Sequence, residues 1–125
     1  MVLADESRRV RAALRQLLED EGFEVVTEAD NGIAAVVDVR RSRPEVALLD
    51  VRLPGLDGLS AAVEILACAP GTRVVICTAV AGVEEAAVRV GAYAVVAKGS
   101  DPALLVGTIK RALGSAGPDL EEVAS

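Results

Sequence analysis

Val46-Ala47-Leu48-Leu49-Asp50 is the stretch on which the fold turns. Four consecutive apolar residues closed by an acid read as a strand buried on both faces, the form strands take in a parallel sheet covered by helices. The next eight residues, Val51-Arg52-Leu53-Pro54-Gly55-Leu56-Asp57-Gly58, are rich in turn formers and lead into a helical pattern. Working outward, the same grammar recurs. Val2-Leu3-Ala4 ends in Asp5-Glu6, Val74-Val75-Ile76-Cys77 ends in Thr78, and Ala94-Val95-Val96-Ala97 ends in Lys98. In parallel α/β sheets, ligands and chemistry gather beyond the carboxyl ends of the strands. Three carboxylates, a hydroxyl and an ammonium are therefore expected along one sheet edge, a set suited to a divalent cation and a phosphoryl group.

Helical spacing fills the intervals between the strands. Ser7 is a candidate N-cap, followed by Val10, Ala13, Leu14, Leu17 and Leu18 to about Asp20. Gly22 stops that helix, and Phe23 to Glu28 reads as a second strand. Asp30-Asn31-Gly32 starts a helix that ends before Pro44. A third helix presents Leu59, Ala62, Val63 and Leu66, and Pro70-Gly71 closes it. A short fourth carries Val83, Ala86, Ala87 and Val90 up to Gly91. The fifth, capped by Ser100 or Asp101 with Pro102 in its first turn, presents Leu105, Ile109, Ala112 and Leu113. Strict alternation predicts an α/β fold, a five-stranded doubly wound parallel sheet. The domain is expected over residues 1–113, with 114–125 a linker or flexible C-terminal tail.

Composition narrows the function. The chain has 125 residues, 52% of them hydrophobic, enough for one domain with a true core, and that core must be aliphatic because only one Phe and one Tyr are present. A net charge of −6 argues against gripping nucleic acid or an anionic membrane. No apolar run approaches the roughly 20 residues of a membrane span, and no signal peptide precedes the first strand. Cys68 and Cys77 read as reduced thiols, consistent with a cytoplasmic setting. The absence of His excludes imidazole metal sites and imidazole acid–base catalysis.

Taken together, Leu3-Ala4-Asp5-Glu6, Leu48 to Gly58, Cys77-Thr78-Ala79 and Val96-Ala97-Lys98-Gly99 resemble the response-regulator receiver domain, with its CheY-like, flavodoxin-like (βα)5 fold. The resemblance covers residues 1 to about 113 and is closest to receivers that precede LuxR-type helix-turn-helix domains, regulators of transcription. It implies that Asp50 accepts a phosphoryl group from a sensor histidine kinase. It also implies that Asp5, Glu6, Asp50 and the Arg52 main-chain carbonyl hold Mg2+. Thr78, Ala79 and Lys98 would stabilise the phosphoryl group, with Thr78 and position 95 forming the switch. The first helix would meet the kinase through Arg8, Arg9, Arg11, Arg15 and Gln16. Activation would favour a homodimer through helix 4, strand 5 and helix 5. The expected role is a phosphoacceptor signalling domain, not an enzyme, with at most self-phosphorylation and autodephosphorylation.

Physical chemistry bears on the same residues. Clustered carboxylates raise one another's pKa, so a cation is expected to keep Asp50 ionised. Magnesium takes one or two carboxylates plus water and phosphate oxygens, and phosphoryl transfer depends on positioning and charge neutralisation.

Three positions depart from the family pattern. Glu6 stands where Asp is commoner. Val95 stands where an aromatic ring usually couples to the Thr hydroxyl, while Tyr93, two residues earlier, is placed by alternation on the same face of the strand as Val95. Gly99 follows Lys98 in place of proline. Asp57-Gly58 reads as a turn and helix cap. Two other functions fit less well. A flavodoxin-like redox protein would need a Ser/Thr/Gly-rich phosphate loop where Asp5-Glu6 stand, and an aspartyl-phosphate phosphatase would need an acid at Arg52. A receiver-like interaction module that signals without phosphorylation is the remaining alternative.

Overall fold

The computed structural model describes residues 1–114, which form β1 (Val2–Ala4), α1 (Arg8–Asp20), β2 (Thr27–Ala29), α2 (Gly32–Ser42), β3 (Val46–Leu49), α3 (Gly58–Cys68), β4 (Arg73–Thr78), α4 (Glu84–Val90), β5 (Ala94–Ala97) and α5 (Pro102–Gly114). All strand pairs are parallel, in the order β2-β1-β3-β4-β5. The apolar runs have a direct cause: both faces of the sheet are covered. Val2, Ala4, Ala47, Leu49, Val74 and Ile76 pack under α2, α3 and α4. Leu3, Val46, Leu48, Val75, Cys77 and Val96 pack with Leu18 of α1 and with Leu105, Ile109 and Ala112 of α5. With aliphatic side chains throughout, the strands tolerate β-branched residues on both faces.

Caps fix where the helices start. Ser7 Oγ accepts the Val10 N–H at 3.2 Å, and the Asn31 side chain accepts that of Ala34 at 2.8 Å. Asp57 Oδ1 accepts the N–H groups of Leu59 and Ser60. Asp101, not Ser100, caps α5 by accepting the Ala103 N–H at 2.9 Å. Each removes an orphan donor of the first turn, worth about 1 kcal/mol.

Several expectations are corrected. The second strand is Thr27–Ala29 and does not begin at Phe23. Its neighbour β1 is only three residues long, so residues 23–25 have no ladder to join; instead the Met1 ammonium donates to the Glu24 carbonyl, and the Val26 N–H to Met1 O. On α3 the inward face is Gly58, Ala61, Ala62 and Ile65, and Val63 is exposed. Ala13 of α1 and Leu113 of α5 are exposed as well. Tyr93 and Val95 do not share a face. Tyr93 precedes β5 and is buried with Val75, Val96 and Leu105, whereas Val95 packs on the opposite side of the sheet. Gly114 closes α5, and the remainder of the proposed tail, 115–125, lies outside the described residues. Among the described residues, Cys68 and Cys77 are free thiols and no helix is long and apolar enough to cross a membrane.

Candidate functional site

The strand order reverses direction between β1 and β3, which leaves a crevice at their carboxyl ends. Asp5 leaves β1 there and Asp50 leaves β3, both almost wholly buried at 2% and 6% exposure. Their backbones are tied into the sheet: Asp5 N–H donates to Ala29 O at 3.1 Å and Asp50 N–H to Ala4 O at 3.0 Å. From the end of β5, Lys98 Nζ reaches across to Asp5 Oδ2 at 2.5 Å and Asp50 Oδ2 at 2.6 Å. Thr78, at the end of β4, is buried, and its Oγ1 accepts the Val80 N–H at 3.2 Å. A cleft of about 250 Å³ is lined by Asp5, Glu6, Ser7, Asp50, Arg52, Thr78, Ala79, Val80 and Lys98. Every site residue named from the sequence except Val95 therefore opens on one cavity.

The loop after β3 shapes the floor of that cleft. Arg52 N–H donates to Asp50 Oδ1 at 3.3 Å, and Gly58 N–H to Val51 O at 2.8 Å. Gly58 lets α3 start against the strand end itself, because a Cβ there would stand 2.0 Å from Asp50 O. Gly55 supplies the loop's left-handed residue at φ +77°.

Lys98 dominates the electrostatics of the site. Burial pushes the Asp50 carboxyl up, but hydrogen bonds from Lys98 and Thr78, the Lys98 charge and the Arg52 N–H outweigh it, and its pKa lies below the ordinary carboxylate value. Lys98 is likewise pushed down by burial but more strongly raised by Asp5 and Asp50. Lys98 thus favours the ionised form of Asp50. The buried Cys77 thiol beneath is pushed up to about 11 by desolvation and is an inert core residue.

The carboxylates do not form one tight triad. Asp5 and Asp50 meet at Lys98, while Glu6 is exposed on the rim, and no three acidic, His or Cys side chains among the described residues are close enough to hold a metal together. The donors still fit a small hard cation. They are all oxygens, and Asp5 Oδ2, whose one polar contact is the Lys98 ammonium, belongs to a residue that lines the cleft and keeps a lone pair for a further partner. Two buried carboxylates, one rim carboxylate and water are the ligand set magnesium prefers.

The first helix holds the site from outside. Arg11 and Arg15, expected to be exposed, are partly covered and engaged along the surface: Arg11 pairs with Glu28 and donates to Asp5 O, and Arg15 pairs with Glu28 and Glu19 and donates to Val25 O. Only Arg8, Arg9 and Gln16 of the proposed docking set are exposed. Between α1 and α5 runs an apolar groove of about 600 Å³, lined by Val10, Leu14, Leu17, Val96 and Leu105 and reaching Lys98. Nothing in the helical periodicity indicated that α1 and α5 stand apart.

A (βα)5 domain of flavodoxin-like order, with acids and a lysine meeting at the switch point, is the architecture of CheY-like domains. The chain belongs to the response regulator receiver domain family, whose model matches residues 1–110. It is similar to the chemotaxis protein CheY of Listeria monocytogenes, 34% identical over 79 residues, covering 63% of this chain and 66% of that protein, just under two thirds of its length. Its structure resembles the signal receiver domain of the response regulator NarL of Mycobacterium tuberculosis, with TM-score 0.84, 30% identity, and coverage of 91% and 95% of the two chains. A LuxR-family two-component response regulator of Aurantimonas sp. SI85-9A1 gives TM-score 0.86 at 32% identity over 97% of this chain and 91% of that one. The protein is thus a receiver domain of two-component response regulators.

Proposed function

We propose that the domain accepts a phosphoryl group on Asp50 from the phosphohistidine of a sensor histidine kinase, with Mg2+, and thereby changes an output surface. The observation that carries this reading is the placement of a buried Asp50, its Oδ2 accepting from Lys98 Nζ at 2.6 Å, in a cleft that Thr78 also lines. An Asp50 oxygen would attack phosphorus, forming the P–O bond as the P–N bond to the kinase imidazole breaks and the nitrogen keeps the bonding pair. Asp5, Glu6, Asp50 and the Arg52 carbonyl are the candidate ligands of magnesium, which when bound neutralises charge on the transferred oxygens. Lys98, released in part from Asp50, would follow the negative charge onto the phosphoryl group, and Thr78 Oγ1 would donate to it. Ala79, small and exposed beside Thr78, leaves space for the group. Incubation with acetyl phosphate and magnesium tests the reading: intact mass should rise by one phosphoryl group, and only when the metal is present. No uptake under any phosphodonor would favour the interaction module that signals without phosphorylation.

Magnesium affinity gives a finer check on the ligands. Glu6→Gln should weaken binding several-fold because it removes charge at the cleft rim. Asp57→Asn should leave it unchanged, because Asp57 Oδ2 is bonded to Ser60 Oγ at 2.7 Å and serves the α3 cap. Equal effects in a calorimetric titration would show that the wrong acid has been assigned.

The kinase surface is best placed on Arg8, Arg9, Gln16 and the apolar α1–α5 groove. For output, Val88 of α4 and Leu104 of α5 are exposed at 73% and 49% beside β5, which supports a homodimer through α4, β5 and α5. No nucleic acid or membrane contact is assigned to this segment. Val95, half-buried on the inner side of β5, cannot supply the ring that would couple Thr78 to that face. Phosphorylation should therefore give only a weak dimer in sedimentation, and Val95→Tyr should strengthen it. A tight phosphorylation-dependent dimer of the unaltered chain would show the ring to be dispensable.

A further inference from the structure

We infer that Arg11 is a positioning residue for the magnesium site, fixing the turn that carries Asp5 and Glu6 through the Asp5 carbonyl. The inference rests on the proposed role of these acids as metal ligands. The turn between β1 and α1 is held at each polar group of Asp5 but one. Its N–H donates to Ala29 O, its Oδ1 accepts the Ser7 N–H at 2.8 Å, and its carbonyl accepts Arg11 Nη1 at 2.6 Å. Oδ2 alone is left facing Lys98 and the cleft.

The carbonyl bond matters because the Asp5 C=O and the Glu6 N–H share one rigid peptide plane. Fixing that oxygen fixes the direction in which the chain enters Glu6 and thus where the rim carboxylate stands. Arg11 comes from the first turn of α1, its own N–H bonded to Ser7 O at 2.9 Å, so the clamp spans the whole turn. A guanidinium beside a cation site would repel the cation, yet here Arg11 Nε is paired with Glu28 Oε1 at 3.3 Å. Glu28 sits on β2, directly opposite Leu3 of β1. The paired fork can hold the turn while its charge is compensated. Arg15 shares Glu28 but contacts only Glu19, Val25 and Glu28, none of them in the turn, which makes it the natural control.

Calorimetric titration of the unphosphorylated protein with magnesium tests this. Arg11→Ala should raise the dissociation constant roughly tenfold, the scale seen when a group orienting a metal ligand is lost. Arg11→Lys, which keeps the charge and one donor, should fall between that variant and wild type. Arg15→Ala should bind magnesium as wild type does, even if its melting temperature falls as far as that of Arg11→Ala. Unchanged affinity in both Arg11 variants, or an equal loss in Arg15→Ala, would overturn the assignment. Failure of the wild-type chain to bind magnesium at all would instead remove the metal reading above and this inference with it.

Discussion

Gly58→Ala should be among the most damaging single substitutions in the domain, lowering stability by about 3 kcal/mol or more. An added Cβ would stand 2.0 Å from Asp50 O and 2.9 Å from Val51 Cα, and both are backbone atoms that cannot rotate aside. Relief would require α3 to retreat from the end of β3, breaking the 2.8 Å bond from Gly58 N–H to Val51 O. That movement would drag Asp50 with it, so surviving folded protein should also label poorly with acetyl phosphate. For a domain of this size the stability loss corresponds to a fall in melting temperature of about 10 °C or more. Thermal unfolding followed by circular dichroism is the check; a shift under about 2 °C would mean that the loop accommodates a side chain the geometry forbids.

Lys98→Ala should give the site a pH-dependent contribution to stability between pH 5 and 8 that the wild-type chain lacks. In the wild-type chain the depressed Asp50 pKa contributes stability that is complete above about pH 4, the unfolded carboxylate range, and is lost only as pH falls through the folded value. The raised Lys98 pKa contributes below about pH 10 and is lost only as pH rises through its folded value. Between pH 5 and 8 neither group changes state, so the site contributes a flat term. Without the ammonium, two buried carboxylates face each other uncompensated, and one must take up a proton more readily. The variant should be about 2 kcal/mol less stable at pH 7, somewhat less than a fully buried pair loses because Lys98 is 22% exposed. It should then regain stability as pH is lowered from 8 to 5, and also on addition of magnesium. Urea unfolding across that pH range measures both; parallel profiles for variant and wild type would show that Lys98 does not hold the acids together.

The fold was legible because each apolar run ends in a residue that cannot continue it. Val46 to Leu49 followed by Asp50, and Val74 to Cys77 followed by Thr78, mark strands whose two faces are both buried. Parallel order then brings the acids, Thr78 and Lys98 to one edge, and the structure brings them to one cleft. What sequence could not show were long-range pairings. Arg11 and Arg15 lie at positions that face solvent in an isolated helix, and their partners, the Asp5 carbonyl for Arg11 and Glu28 for both, are brought close only by the β1–β2 pairing. The three-carboxylate triad also failed to form as expected, because adjacent residues Asp5 and Glu6 leave the strand end in different directions, one buried and one exposed. Tyr93 escaped the alternation rule because it stands in the bend before β5 and not in the strand itself.

Locating the phosphoryl group shows directly whether Asp50 is the acceptor. After acetyl phosphate and magnesium treatment, borohydride reduction converts an aspartyl phosphate to homoserine, which tandem mass spectrometry reads in the peptide sequence. The single modified position should be Asp50, and the Asp50→Asn chain should show none. Modification at Asp5, Asp57 or any hydroxyl residue with Asp50 untouched would exclude Asp50 as the acceptor.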